Sequence, residues 1–186
     1  MRILAVSGSL RRDSHNTRLL RAAAELLPSG VDLELYDGLK QIPPFDEDDE
    51  AAPSAEVQTW REAIEAADAI LFATPEYNSS IPGQLKTALD WASRPSREAA
   101  LRNKPTAVIG ASMSMFGAVW AQAELRKVLG ASGARVIDAE LPVSTAHEAI
   151  TEDGTLADAE TEQALQVILD DLVALARGRE LERVAA

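Results

Sequence analysis

Three short segments of this 186-residue chain concentrate the side chains best suited to chemistry. The first, Gly8-Ser9-Leu10-Arg11-Arg12-Asp13-Ser14-His15-Asn16-Thr17, links an apolar run to the start of an amphipathic stripe. Backbone N–H groups and the positive end of a helix converge at such a junction, and hydroxyl, amide and guanidinium groups add further donors. That set suits a terminal phosphate, although Asp13 or Ser14 acting only as a helix cap accounts for the same residues. The segment is neither a G-x-x-x-x-G-K phosphate loop nor a G-x-G-x-x-G dinucleotide turn. The second segment, Thr74-Pro75-Glu76-Tyr77-Asn78-Ser79-Ser80-Ile81-Pro82-Gly83, has the Pro, Asn and Gly of a shaped turn. Tyr77 and Asn78 add polar handles to it. The third, Ser112-Met113-Ser114-Met115-Phe116-Gly117, sets an aromatic ring and two thioethers beside small hydroxyls, a mixture common in loops.

These segments need a frame to bring them together. Residues 3–6, 69–73 and 107–111 are apolar without interruption, as in strands covered on both faces. Residues 31–36 and 135–141 carry charges, as at the rims of a sheet. Helical stripes follow each strand in turn. They are Leu19, Ala23, Leu26 and Leu27, then Val57, Trp60, Ile64 and Ala67, then Ile81, Leu85, Ala88, Leu89 and Ala92. Ala121, Leu125, Val128 and Leu129 make the fourth stripe, and Leu165, Ile168, Leu169, Leu172 and Leu175 the fifth. A strand–helix unit repeated five times predicts an α/β fold, a doubly wound five-stranded parallel sheet between two helix layers. An apolar centre and charged rims give the strand order 2-1-3-4-5. Ligands of such sheets bind outside the carboxyl ends of the strands, where all three segments lie. One domain is expected over 1–177, with a charged tail over 178–186. Residues 41–54, an acidic run between prolines, read as a solvated loop.

Composition narrows the function. Asp and Glu number 30 against 18 Lys and Arg, a formal charge of −12. A field of that sign repels phosphate backbones and anionic lipid, so neither nucleic acid nor a membrane is expected as a partner. Cysteine is absent, which removes disulfides, thiolate metal sites, iron–sulfur clusters and thiol redox cycling. The two histidines, His15 and His147, cannot make a His-rich metal site, and neither reads as a general base. Redox chemistry would have to come from an organic cofactor or a metal on nitrogen and oxygen ligands. No stretch approaches the ~20 apolar residues of a membrane span, and the N-terminal apolar run is too short for a signal sequence. A soluble, cytoplasmic protein is expected.

Two longer patterns carry a resemblance. Gly8-Ser9-Leu10-Arg11-x-x-Ser14-x-Asn16-x-x-Leu19, followed by Pro75-Glu76-Tyr77-Asn78-x-Ser80-x-Pro82-Gly83-x-Leu85-Lys86-x-Ala88-Leu89-Asp90-Trp91, closely resembles the NADPH-dependent FMN reductase family. That family is flavodoxin-like and includes quinone, chromate and azo-dye reductases. The resemblance runs from Ile3 to about Leu175. It implies FMN as cofactor and NADPH or NADH as co-substrate. Ser9, Arg11, Ser14, Asn16 and Thr17 would bind the phosphate. Pro75, Glu76, Tyr77, Asn78 and Ser80 would line the isoalloxazine, chiefly through backbone groups, and Ser112 and Gly117 would close the pyrimidine or ribityl side. It further implies a small-molecule electron acceptor, a homodimer or tetramer, and no obligate side-chain acid or base.

The chain also departs from the pattern. Thr87 stands where relatives usually have Asn, Ser114 near a usual Gly, and Trp120 near a usual Arg. Trp60 and Trp91 sit on apolar stripes and read as core or subunit interface rather than flavin stackers. Two rival readings are an FMN electron carrier that pyridine nucleotides do not reduce, and a flavin-free interaction protein on the same fold.

Overall fold

Alternation along β1 (Arg2–Ser7) sorts its side chains between two cores. In the computed structural model, which describes residues 1–151 and 154–185, Ile3 and Ala5 join one core and Leu4 and Val6 the other. The first core is closed by α1 (His15–Glu25) and α6 (Ala159–Ala185), through Leu19, Leu20, Leu165, Leu169 and Leu172. The second is closed by α2 (Ala55–Ala66), α3 (Gly83–Ala92) and α4 (Val119–Ala131), through Val57, Ile64, Leu85, Leu89, Leu125 and Leu129. Between the layers, β3 (Ala69–Thr74) and β4 (Pro105–Ala111) are buried throughout, whereas β2 (Asp32–Leu35) is largely exposed. The strand path is β2-β1-β3-β4-β5 with all pairs parallel, which is the flavodoxin-like order.

The fifth strand differs from expectation. Instead of one strand over 135–141 there are two short ones, β5 (Arg135–Val136) and β6 (Pro142–Val143), both paired with β4. Ile137 N–H still donates to the Thr106 carbonyl, after which the chain leaves the ladder. The fully buried Gln122 of α4 bridges the break. Its Oε1 accepts from Leu141 N–H at 3.0 Å, and its Nε2 donates to the carbonyls of Leu141 and Gly117 at 3.2 and 3.1 Å. A short α5 (Ala146–Ala149) follows β6. The charged segment expected as a tail over 178–186 is instead part of α6 as far as Ala185, with Arg135 pairing Glu182; Ala186 lies outside the described residues.

Two other expectations change. Residues 41–54 do more than face solvent: Ile42 is buried, Phe45 meets the Trp91 ring edge-on at 4.9 Å, and Pro43 O accepts from Trp91 Nε1 at 2.9 Å. Trp91 is thereby sealed inside its own chain and is not available to anchor a subunit interface. Trp60 is likewise core, its Nε1 donating to Ala88 O at 2.8 Å. At the opposite end of the sheet from the three loops, Lys104 is 2% exposed. Its Nζ donates to the Ala67 and Glu65 carbonyls at 2.6 and 3.2 Å, serving the last turn of α2. Burial, aided by the Arg179 charge, pulls its pKa down to about 8.

Candidate active site

The carboxyl ends of β1, β3 and β4 bring the three loops together. In the first loop Ser14 is extended and its Oγ accepts from Thr17 N–H at 3.3 Å, so the helix-capping role is real. Thr17 Oγ1 donates to Ser7 Oγ at 3.0 Å, tying the helix start to the strand end. Arg11 folds back so that Nη2 donates to Asp13 O. The N–H groups that open α1 have no partners within the helix and make its first turn an anion-binding end.

Asn16, implied by its motif as a phosphate ligand, has its side-chain amide engaged within the chain. It is 2% exposed, and its amide forms a closed pair with the backbone of Ala111 at the end of β4. Nδ2 donates to Ala111 O and Oδ1 accepts from Ala111 N–H, both at 3.0 Å. The side chain fastens the first loop to the third. Beside it, His15 Nδ1 is buried without a partner among the described residues. Burial first, and then the Arg11, Arg18 and His147 charges, hold the imidazole pKa below its ordinary value, so the ring is neutral at pH 7.

The second loop turns on Asn78 and Ser79, whose φ values of 53° and 60° make the left-handed pair of a tight hairpin turn. Tyr77 and Ser80 close it with reciprocal backbone bonds of 3.0 and 3.1 Å. Glu76 Oε2 accepts from the N–H groups of Trp120 and Ala121 at 3.1 and 3.2 Å, and Ser80 Oγ donates to Glu124. These two side chains hold α4.

The third loop enters α4 through two left-handed residues, Gly117 and Ala118, with φ of 56° and 62°. A Cβ on Gly117 would stand 2.3 Å from the Pro142 carbonyl carbon, so only glycine fits. Ser112 and Ser114 bond to each other at 3.1 Å, and Ser114 Oγ accepts from Phe116 N–H. Met113, Met115, Phe116, Trp120 and Tyr77 are all about half exposed or more, and the Phe116 and Trp120 rings lie 4.9 Å apart.

Between the loops is an open cavity of about 260 Å³. Of the residues implied by the motifs it is lined by Ser9, Arg11, Ser14, Asn16, Pro75, Glu76, Tyr77 and Ser112; Thr17, Asn78, Ser80 and Gly117 lie outside that lining. His15, Ala111 and Met113 line it as well, and sequence reasoning did not single them out as binding residues. The cavity's position next to Ser14 and Ser112 was the available signal for His15 and Met113; Ala111, an apolar strand residue, gave none.

FMN fits this donor set. Arg11, Ser9 and the α1 N-terminus would offer donors to a phosphate at one end, and the 75–77 segment and Ser112 would face a flat ring at the other. A doubly wound sheet with such a cavity at the strand-order switch defines a flavodoxin-like nucleotide-cofactor protein.

Comparison with known proteins specifies the family. The family model for NADPH-dependent FMN reductase matches residues 1–148. An NAD(P)H-dependent FMN reductase of Pseudomonas aeruginosa is 42% identical over 175 residues, covering 92% of this chain and 93% of that protein. A 2-hydroxy-1,4-benzoquinone reductase of a Burkholderia species is 35% identical over 180 residues, covering 96% and 98%. Among solved structures, the NAD(P)H:acceptor flavoenzyme FerB of Paracoccus denitrificans superposes with a TM-score of 0.84 at 33% identity, over 95% of this chain and 97% of that one. The chain belongs to the NADPH-dependent FMN reductase family, and is an oxidoreductase with FMN as cofactor and NAD(P)H as reductant. Among the described residues no helix is long and apolar enough to cross a membrane.

Proposed function

We propose that this protein carries reducing equivalents from NAD(P)H to a flat, apolar acceptor of the quinone class. The observation that carries the reading is the meeting, in one cavity, of a phosphate-suited helix end at Ser9 and Arg11 with Met113 of an exposed apolar third loop. Bound FMN supplies the two-electron chemistry that no side chain of this cysteine-free chain offers. Arg11 and Ser9 would hold the phosphate end, with the Asn16 backbone at the start of the first helical turn. The 75–77 backbone and Ser112 orient the ring. Tyr77 and Met113 border the space left for the acceptor and limit water there. No side chain is required as an acid or base.

A hydrated oxyanion such as chromate is disfavoured by those apolar walls and by the net charge of −12. The exposed aromatic and thioether surface around the mouth also supports a homodimer with the cavity near the subunit boundary. The homologue from the Burkholderia species, named for a benzoquinone substrate, agrees with the acceptor class.

The test is anaerobic stopped-flow spectroscopy of purified holoprotein. Heat-released cofactor should chromatograph as FMN, NADH or NADPH should bleach the flavin band, and a benzoquinone should restore it. Arg11→Ala should weaken FMN binding by about 1.5–3 kcal/mol, the worth of a hydrogen bond to a charged group. Failure of both nucleotides to bleach the flavin makes the protein an electron carrier. A kcat/KM higher for chromate than for benzoquinone refutes the acceptor class, and a monomer by light scattering refutes the dimer.

A further inference from the structure

The helix α4 begins without a cap of its own. Its N-cap position is Ala118, which is left-handed and has no side-chain acceptor. Uncapped first-turn N–H groups are destabilising, and a carboxylate placed there offsets both the missing bonds and the positive helix end. Here the acceptor comes from another loop: Glu76, 44 and 45 residues earlier, takes the N–H groups of Trp120 and Ala121 at 3.1 and 3.2 Å. One turn further along, Ser80 of the same loop bonds to Glu124. The second loop therefore grips two successive turns of α4.

What that grip holds is the exit of the third loop, whose Ser112 and Met113 line the cavity. Trp120, whose own N–H is bound by Glu76, carries the ring that meets Phe116 at 4.9 Å. On the other side, Glu76 and its neighbour Tyr77 line the cavity directly. We propose that Glu76 is a positioning residue: by capping α4 from the second loop it sets the distance between the two walls of the acceptor space, and so sets acceptor affinity. This builds on the reading that the acceptor binds at this mouth. The geometry of the acceptor atom, rather than the charge of the carboxylate, performs the role, because both bonds end on one oxygen that an amide oxygen can replace.

The variants Glu76→Ala and Glu76→Gln separate these contributions. Hydrogen exchange of the holoprotein, read on peptides spanning residues 117–124, should quicken at least tenfold in Glu76→Ala and stay within threefold of native in Glu76→Gln. Peptides from α3 serve as the unchanged control. The acceptor KM should rise about tenfold in Glu76→Ala with kcat within threefold, and Glu76→Gln should restore it. Unchanged exchange at 117–124 in Glu76→Ala overturns the proposal, as does an equal rise in KM in the two variants or a fall in kcat alone. Should Glu76→Ala not fold, Glu76→Gln decides: a tenfold loss of protection in it refutes the geometric role, and retention within threefold supports it. Exchange needs no turnover, so its failure is distinct from failure of native enzyme to accept electrons from NAD(P)H.

Discussion

Asn16→Ala gives the sharpest separation between a phosphate ligand and a structural fastening. The native amide satisfies the N–H and the carbonyl of Ala111, both buried at the end of β4. Alanine removes both of these partners at a site buried to 2% exposure. At ~1–3 kcal/mol for each stranded group, the loss comes to about 2–6 kcal/mol. For a chain of this length that corresponds to a fall in Tm of about 4–24 °C. Asn16→Asp should do little better, since it keeps an acceptor for the N–H but sets a second carboxylate oxygen against the Ala111 carbonyl. The assay is thermal unfolding followed by circular dichroism, without added FMN and at saturating FMN, because bound ligand itself raises Tm by mass action. The expected result is a loss of stability of similar size in both conditions. An unchanged Tm without FMN, together with a tenfold weaker FMN Kd, would mean that the amide serves the phosphate and that the bond to Ala111 is incidental.

Gly117→Ala should cost about 2–4 kcal/mol, combining a left-handed non-glycine residue with a clash against backbone that cannot swing aside; a urea midpoint equal to native would contradict it. Lys104 gives a pH dependence of defined sign. Its pKa is about 8 in the folded chain against an ordinary 10.5, so between those values the unfolded chain binds more protons and stability contributed by this group rises with pH. The difference in urea midpoint between native protein and Lys104→Met, followed from pH 8 to 10.5, should widen in favour of the native chain; a constant difference would show that the ammonium is not desolvated.

Much of the frame was legible because burial on two faces leaves a compositional trace. The unbroken apolar runs at 69–73 and 107–111 became the fully buried β3 and β4, and the charged 31–36 became the exposed β2. The loops that meet at the cavity followed from strand order alone. What stayed illegible has a common cause: it consists of single side chains that reach backbone far away in sequence. Asn16 finds Ala111 across 95 residues, Glu76 finds α4 across 44, and Gln122 fills a gap in the ladder of β4. Such bonds have no period, and Asn, Glu and Gln on a loop or helix read equally well as solvated. Trp91 reads from sequence as core or subunit interface, and the choice stays open for the related reason that its cover, Phe45 and Pro43, belongs to a segment whose acidic composition suggests only solvent.

The broken outer strand has a consequence for how copies of this chain behave when crowded. An open sheet ends in unpaired N–H and carbonyl groups, and a long straight edge would template a neighbouring chain into a growing ribbon. On the β5 and β6 side, two strands of two residues each are separated by a stretch that carries Asp138 and Glu140. No run there is long enough for a foreign strand to zip onto, and carboxylates stand where it would begin. At the other edge, β2 offers only four residues with Asp32 and Glu34 among them. By breaking its own ladder and mending it with the side chain of Gln122, the fold keeps a cohesive centre while denying aggregation a starting point at either margin.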